Sequence, residues 1–250
     1  MLYGVPASGQ GRGCGVNTVC GAGSFYRGSL NVTERETDMD FFEVVRSRRS
    51  VREFSDRPVA SKDIETCLEA ARLAPSATNS QPWRFLVART PELREALAEA
   101  GYGQACLRQA PVITVLLGDR GVYRKRLRRA KELADLGAFS QDTLATLEEK
   151  YQEKADAGRE ANDVAIRLNC MLAGEHYLLA AAALELGCCW VGLFDSARVT
   201  EVLKLDPKYN FPIAFLPTGY PAGETPPPRP RYSISDIAWK DEMGRPWVAG

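Results

Sequence analysis

The sequence predicts an α+β sandwich in which helices cover a mixed sheet. Helix and strand signals alternate along the 250 residues, but they form no regular βαβ repeat. No phosphate-binding glycine loop follows the first predicted strand, which argues against a doubly wound dinucleotide-binding fold. The hydrophobic content of 45% is enough to build a full core in one domain.

Residues 1–37 differ from the rest of the chain. Glycines recur there, large apolar residues are few, and no periodicity is visible. Such a segment cannot bury enough surface to offset the entropy lost on ordering. We therefore expect a Gly-rich, flexible N-terminal extension before a folded domain at 38–250, with a start at Met39 as an alternative. A metal site at Cys14 and Cys20 is the less favoured interpretation.

Periodicity and capping signals predict the first elements of the domain. Asp40 can cap a helix that runs from about Phe41 to Arg48. A second helix, with one apolar face, is expected from Ser61 to about Leu73. After a polar loop, a strand is expected at 85–88 and a helix from Pro91 to about Ala100.

The middle of the chain combines a buried strand with a polar insert. The apolar run from Val112 to Leu117 predicts a buried strand. Residues 123–156 are charged and predict one or two exposed helices in a variable insert. Asn162 and Asp163 would cap a long helix from Val164 to Leu186, which Gly187 would end. Because that helix is apolar on most sides, we expect it at the centre or between subunits.

Shorter elements complete the prediction. A strand is expected at 188–194, broken at Gly192, followed by a short helix at 196–203. The next strand is expected at 212–216. The proline-rich tail must begin as extended chain and forms a C-terminal arm.

Composition excludes several classes of function. Lys plus Arg and Asp plus Glu both number 32, so we expect neither a nucleic-acid nor a membrane-surface partner. No signal peptide or membrane-spanning stretch is visible. The seven cysteines show no CxxC or zinc spacing, which predicts reduced thiols and a cytoplasmic location. Cys188 and Cys189 are expected as small buried strand residues.

The sequence contains one histidine, His176, which we expect to be a packed or interface residue. Its isolation weakens hydrolytic and metal-dependent mechanisms, because these need a histidine with a nucleophile or several metal ligands. We therefore predict no catalytic side chain and no metal ligand. A reaction carried by a bound cofactor fits better, since the cofactor supplies the reactive atoms.

Four segments offer contacts to such a cofactor. Residues 48–52 place three arginines and a serine in five positions, and the planar arginine fork matches phosphate oxygens in pairs. A polar loop follows at 75–82. Gly192, within 186–195, would permit close backbone approach. Two late arginines stand at 229 and 231.

Together these segments resemble the FMN-binding segments of the FMN-dependent nitroreductase family over about 38–236. The resemblance implies a three-layer αβα sandwich with a mixed, mainly antiparallel sheet, and a homodimer with FMN at the subunit interface. It also implies that the cofactor is held by the following residues: Arg48, Arg49, Ser50, Arg52, Ser76, Ala77, Asn79, Gln81, Val191, Gly192, Leu193, Arg229 and Arg231.

The resemblance gives these residues separate roles. Arg48 and Ser50 would approach the phosphate and the ribityl chain with Arg49 beside them, and Arg52 would lie near N1 and O2 of the ring. The polar loop would border the ring and the ribityl chain. Backbone amides at 191–193 would face N5 or O4, and the late arginines would return to the phosphate.

The activity implied is that of an FMN-dependent NAD(P)H oxidoreductase. NADH or NADPH, bound transiently, would deliver hydride to N5, and a small electron-poor acceptor such as a nitroaromatic or a quinone would receive it. A reductive dehalogenase-like or flavin-modifying member of the fold is an alternative, as is a flavin-binding module without turnover. The insert at 123–156 matches no substrate subgroup, so the physiological acceptor stays open.

Overall fold

The structure is a computed structural model that describes residues 40–248, with gaps at 139, 141, 148–158 and 225. The predicted extension at 1–37 lies outside these residues, as does the end of the predicted insert.

The described residues form helices and strands, with several helices following one another directly. They are α1 (Phe41–Ser47), α2 (Ser61–Arg72), a 3-10 turn (Ala77–Asn79), β1 (Trp83–Ala88), α3 (Pro91–Ala100), α4 (Ala105–Gln109), β2 (Val112–Asp119), α5 (Val122–Asp135), α6 (142–147), α7 (Arg159–Ala183), β3 (Gly187–Cys188), α8 (Ser196–Val202), β4 (Asn210–Gly219) and α9 (Ile234–Ile237).

One four-stranded sheet, in the order β1-β2-β4-β3, organises the described residues. All its neighbouring strands pair antiparallel, and one isolated parallel bridge joins Ser50 to Cys188. The predicted α+β class with a mainly antiparallel sheet is thus confirmed. Every residue of β2 is buried, as expected for an uninterrupted apolar run covered on both faces.

Alternation along β2 divides the core into two layers, because successive strand side chains point to opposite faces. Val112 and Leu116 join the apolar cluster that contains Tyr177 of α7. Ile113 and Val115 join the cluster on the other face, which packs residues of α3, α4 and α8. The three-layer arrangement follows from this division.

The long helix α7 begins earlier and ends earlier than predicted. Asn162 and Asp163 lie inside it, so they do not cap it. The Asp163 carboxylate instead accepts two hydrogen bonds from the Arg120 guanidinium, at 2.7 and 2.6 Å. Gly187 was predicted to end the helix at its other terminus. Instead, the chain turns at Glu185, which adopts the left-handed conformation (φ 59°) that a helix-terminating glycine usually takes. No helix in the described part of the chain is long and apolar enough to cross a bilayer.

The strand predicted at 188–194 is wrong in extent. Only Gly187 and Cys188 form β3, and Val191 makes an isolated bridge to Phe215. Cys188 and Cys189 are buried free thiols, as predicted, but only Cys188 lies in a strand. Residues 192–195 then turn into α8, where the Asp195 carboxylate accepts from the backbone N–H groups of the first turn.

A buried polar bridge ties α7 to the sheet. The Tyr177 hydroxyl lies 2.9 Å from the Thr114 hydroxyl and 3.2 Å from that of Thr218. Because buried hydroxyls left without a partner cost free energy, Tyr177→Phe should lower the free energy of unfolding by about 1–2 kcal/mol. Urea denaturation measures this. Tyr102→Phe, at an exposed position, is the matched control, and equal stability of both variants would contradict the prediction.

Candidate functional site

Two segments far apart in the sequence meet in an open cleft of about 650 Å³. One segment is the arginine motif, residues 48–52. The other is the proximal arm, residues 226–231, which begins the C-terminal arm. The cleft is lined by the following residues: Val45, Arg46, Arg48, Arg49, Ser50, Arg52, Pro226, Pro228, Arg229 and Arg231. The cleft therefore brings together all the residues predicted to lie near the phosphate, which are Arg48, Arg49, Ser50, Arg229 and Arg231.

The arginine motif is placed by the end of α1 and by β3. The Asp40 carboxylate caps α1 by accepting from the Phe42 N–H at 2.9 Å, as predicted. The chain leaves the helix at Arg48, where φ is −52° and ψ 134°, and continues extended. The Val51 N–H donates to the Cys188 carbonyl at 3.1 Å, while the Val51 side chain is buried. Successive side chains of an extended segment point to opposite sides. Arg48, Ser50 and Arg52 therefore lie on the side opposite the buried Val51 side chain.

The chain preceding the proximal arm runs alongside the residues that follow the motif. Phe54 bridges Pro221 in antiparallel fashion. The Ser55 N–H donates to the Tyr220 carbonyl at 2.9 Å, and the Ala222 N–H donates to the Glu53 carbonyl at 3.0 Å. This pairing fixes where the chain leaves the domain and directs the proximal arm across the motif.

The cleft concentrates positive charge. Six of its ten lining residues are arginines, and none is acidic. The guanidinium groups of Arg48 and Arg229 have no hydrogen-bond or ion-pair partner among the described residues, while Arg52 donates only to the Ser50 carbonyl, at 3.3 Å. Glu53 and Glu224 line a smaller compartment next to the cleft. Unpaired arginines around one opening are the donors that a phosphate dianion requires.

Nearby thiols do not offer a nucleophile. Burial raises the pKa of Cys189 and of Cys106, although the positive charge of Arg52 partly opposes the shift. Burial also raises the pKa of Cys188 to about 12. Because the thiolate is the reactive form, these side chains remain protonated and unreactive at neutral pH. The site therefore fits a bound anionic group better than covalent cysteine chemistry.

The predicted polar loop is held by hydrogen bonds within itself and to α7, and it lies outside the described lining of the cleft. The Ser76 hydroxyl accepts from the Gln81 N–H at 3.0 Å. The Gln81 side-chain amide donates to the Asn79 side chain at 2.8 Å, and the Ala77 N–H donates to the Asn169 side chain at 2.7 Å. Asn79 and Gln81 have positive φ angles of 50° and 46°, a strained conformation that often marks a functional loop.

The predicted segment 191–193 is also absent from the described lining of the cleft. The Val191 N–H already donates to the Phe215 carbonyl at 2.9 Å. Leu193 is 67% exposed, and its carbonyl accepts from the Gln104 side chain at 2.9 Å. A side-chain carbon at Gly192 would meet its nearest atom at an ordinary 3.6 Å, so the fold itself does not require glycine there.

Several site residues were missed from the sequence. Val45 and Arg46 line the cleft from the last turn of α1, and Pro226 and Pro228 line it from the proximal arm. The position of Arg46 just before the motif could have indicated it. Ser80, in the polar loop, is only 4% exposed, and its hydroxyl has no hydrogen-bond partner in the described structure.

Gly187 sets the distance between β3 and the arginine motif. A side-chain carbon at Gly187 would lie 2.7 Å from Cβ of Val51 and 2.6 Å from its Cγ1. Val51 is β-branched and buried, so it cannot rotate away. We expect Gly187→Ala to lower the free energy of unfolding by about 1–3 kcal/mol, as overpacking does. Chemical denaturation tests this against Gly192→Ala, which has room for the added carbon. Equal losses of unfolding free energy in the two variants would contradict this expectation.

The fold and the cleft define a class: an α+β sandwich with an arginine-lined cleft between an arginine motif and a C-terminal arm. Residues 45–220 match the model of the nitroreductase family. The chain belongs to that family.

Similar proteins agree with this assignment. The chain is 34% identical over 177 residues to an NADH dehydrogenase of Thermus thermophilus, covering 71% of this chain and 84% of that protein. It is 32% identical over 186 residues to an FMN reductase (NAD(P)H) of Bacillus subtilis, covering 72% and 66%. The structure of a protein classed as a nitroreductase, from Exiguobacterium sibiricum in complex with FMN, matches with a TM-score of 0.70 and 25% identity, covering 81% and 98%.

Proposed function

We propose that this protein is an FMN-dependent oxidoreductase that uses NADH or NADPH to reduce a small electron-poor substrate. The observation that carries the proposal is the cleft, in which six arginines surround one opening. When bound, FMN would supply the chemistry, which is hydride transfer through its N5 from the nicotinamide to a nitroaromatic, a quinone or another electron-poor acceptor.

The residues of the cleft divide this task. Arg48, Arg229 and Arg231 would hold the phosphate, because they carry fixed charge and line one opening. Ser50 would add a hydroxyl toward the phosphate and the ribityl chain. Arg52 would place its charge beside N1 and O2 of the ring.

The other predicted segments would complete the site around the ring. Ser76, Ala77, Asn79 and Gln81 would border the ring through their polar atoms and backbone. In segment 191–193, the N–H of Val191 already donates a hydrogen bond to the Phe215 carbonyl. The N–H groups of Gly192 and Leu193 are therefore the better candidates to face N5 or O4.

We further propose that the active form is a homodimer and that each site takes residues from both chains. An exposed apolar stripe on α7 supports this, since Val164, Leu168 and Met171 are 54, 61 and 51% exposed. A stripe at this spacing is typical of a helix–helix interface. Phe41 and Phe42 of α1 are also exposed. The polar loop, which does not line the cleft of its own chain, would reach the cleft of the second copy. A monodisperse monomer that holds FMN tightly would refute the dimer.

The five cysteines in the described part of the chain are all free thiols. Reduced thiols fit a cytoplasmic oxidoreductase, and we propose that location.

The absorption spectrum of the purified protein, followed by a nicotinamide titration, tests the proposal. Yellow protein that NADH or NADPH bleaches, and that a nitroarene or quinone recolours, is expected. Recolouring by an iodotyrosine alone would favour the dehalogenase-like alternative. Absence of bleaching would leave a flavin-binding module. Colourless protein that takes up no added FMN would overturn the proposed cofactor itself.

The flavin-modifying alternative is weaker. The subgroup that fragments its own flavin tends to carry an acid where this chain has Ser50, and Ser50 lines the cleft together with arginines. A cleaved flavin product, rather than reoxidised FMN, after the protein is incubated with reduced FMN and oxygen would be needed to restore that alternative.

A further inference from the structure

Arg49 is bonded differently from its neighbours in the motif. Its Nη1 donates to three successive carbonyls at the end of α1, those of Arg46, Ser47 and Arg48, at 2.7, 3.0 and 2.8 Å. Its Nε donates to the carbonyl of Pro226 at 3.2 Å. One planar group thus joins the end of α1 to the start of the proximal arm.

The proximal arm has few other means of attachment. Four of its six residues are prolines, which have no N–H to donate. Within the described part of the chain, the bond from Arg49 to Pro226 is the one hydrogen bond that ties residues 226–231 to the rest of the domain. A proline-rich segment offers carbonyl acceptors, so an arginine is a suitable side chain to hold it.

We propose that Arg49 is a positioning residue: it fastens the proximal arm across the cleft and so holds Arg229 and Arg231 where they meet the phosphate. This inference rests on the proposed FMN site and gives Arg49 a task other than direct contact with the cofactor. Fixing the arm before the cofactor arrives removes an ordering cost from binding. The planar fork is essential, because a lysine in its place has a single nitrogen and cannot span both sets of carbonyls.

The first test needs no cofactor. Trypsin can cut after Arg231, and cleavage requires the arm to detach locally. In FMN-free protein, Arg49→Ala and Arg49→Lys should both cut at the Arg231–Tyr232 bond several-fold faster than the wild type, as followed by mass spectrometry. Arg198→Ala, which removes an exposed arginine paired with Glu201, should cut at the wild-type rate. Unchanged cleavage in the folded Arg49→Lys variant would overturn the proposal.

The second test measures FMN affinity. Both Arg49 variants should raise the Kd on the order of tenfold, the effect of one charge-assisted hydrogen bond. In a background that also carries Arg229→Ala and Arg231→Ala, Arg49→Lys should add almost nothing, because the groups it positions are gone. If Arg49→Lys raises the Kd for FMN by the same factor in that background as in the wild type, the positioning role is contradicted. If Arg49→Lys alone binds FMN with the wild-type Kd, only the charge at position 49 matters, and the proposal is overturned.

The two tests fail separately. If the wild-type protein binds no FMN, the proposed function falls, while the cleavage rates still decide whether Arg49 fastens the arm. If FMN binds and the cleavage rates are unchanged, the function stands and the positioning role is lost.

Discussion

Replacing Arg48 and Arg229 together with alanine is expected to raise the Kd for FMN roughly 100- to 20,000-fold. Both side chains line the cleft, one from each segment, and neither is paired within the described structure. Each would give the phosphate a charge-assisted hydrogen bond that contributes about 1.5–3 kcal/mol, and every 1.4 kcal/mol corresponds to about tenfold in Kd. Quenching of FMN fluorescence at fixed ionic strength measures the change.

Riboflavin provides the decisive comparison, because it lacks the phosphate but keeps the ring and the ribityl chain. The double variant should bind riboflavin as the wild type does. Equal losses for FMN and riboflavin would show that the two arginines do not act on the phosphate. Arg198→Ala controls for the loss of positive charge elsewhere on the surface, and it should leave both affinities unchanged.

The parts of the fold that the sequence predicted well are those determined by local signals. Asp40 can cap only a helix that starts directly after it, and α1 begins where its carboxylate allows. The apolar run from Val112 to Leu117 leaves no polar face, so a buried central strand was the simplest interpretation. Three arginines in five positions can also form a solvated charged surface, and the arginine motif was recognisable because it occurs together with the other segments that resemble FMN-binding segments.

The parts that it predicted poorly depend on distant partners. Asp163 has the chemistry of a helix cap, but its carboxylate accepts a hydrogen bond from Arg120, which lies more than forty positions earlier in the chain. The left-handed turn at Glu185 carries no glycine to indicate it. Arg49 resembles Arg48 in the sequence, and only the carbonyls that the fold places around it, those at the end of α1 and that of Pro226, distinguish the two. For the same reason the sequence could not indicate that the polar loop lies outside the cleft of its own chain.

Arg52→Ala is expected to lower the midpoint potential of the bound flavin and to slow its reduction by NADH or NADPH. Arg52 lines the cleft, and the Ser50 carbonyl accepts from its Nη1 at 3.3 Å, which holds the guanidinium near the motif backbone. Two unit charges about 4 Å apart interact by about 4 kcal/mol at an effective dielectric near 20. For a two-electron couple, this gross figure corresponds to about 90 mV. Since Arg52 is exposed in the chain, solvent reduces the effect, and we expect a shift of about 30–90 mV.

Comparison with Arg52→Lys separates charge from shape. If Arg52 acts through its charge beside N1 and O2, lysine should restore most of the potential, whereas alanine should not. If the fork matters because it also bonds the Ser50 carbonyl, lysine should recover the potential but still weaken FMN binding. Spectroelectrochemical titration gives the potential, and stopped-flow absorbance gives the reduction rate. An unchanged potential in Arg52→Ala would remove Arg52 from this role, and the charge that tunes the flavin would then have to come from another residue of the cleft.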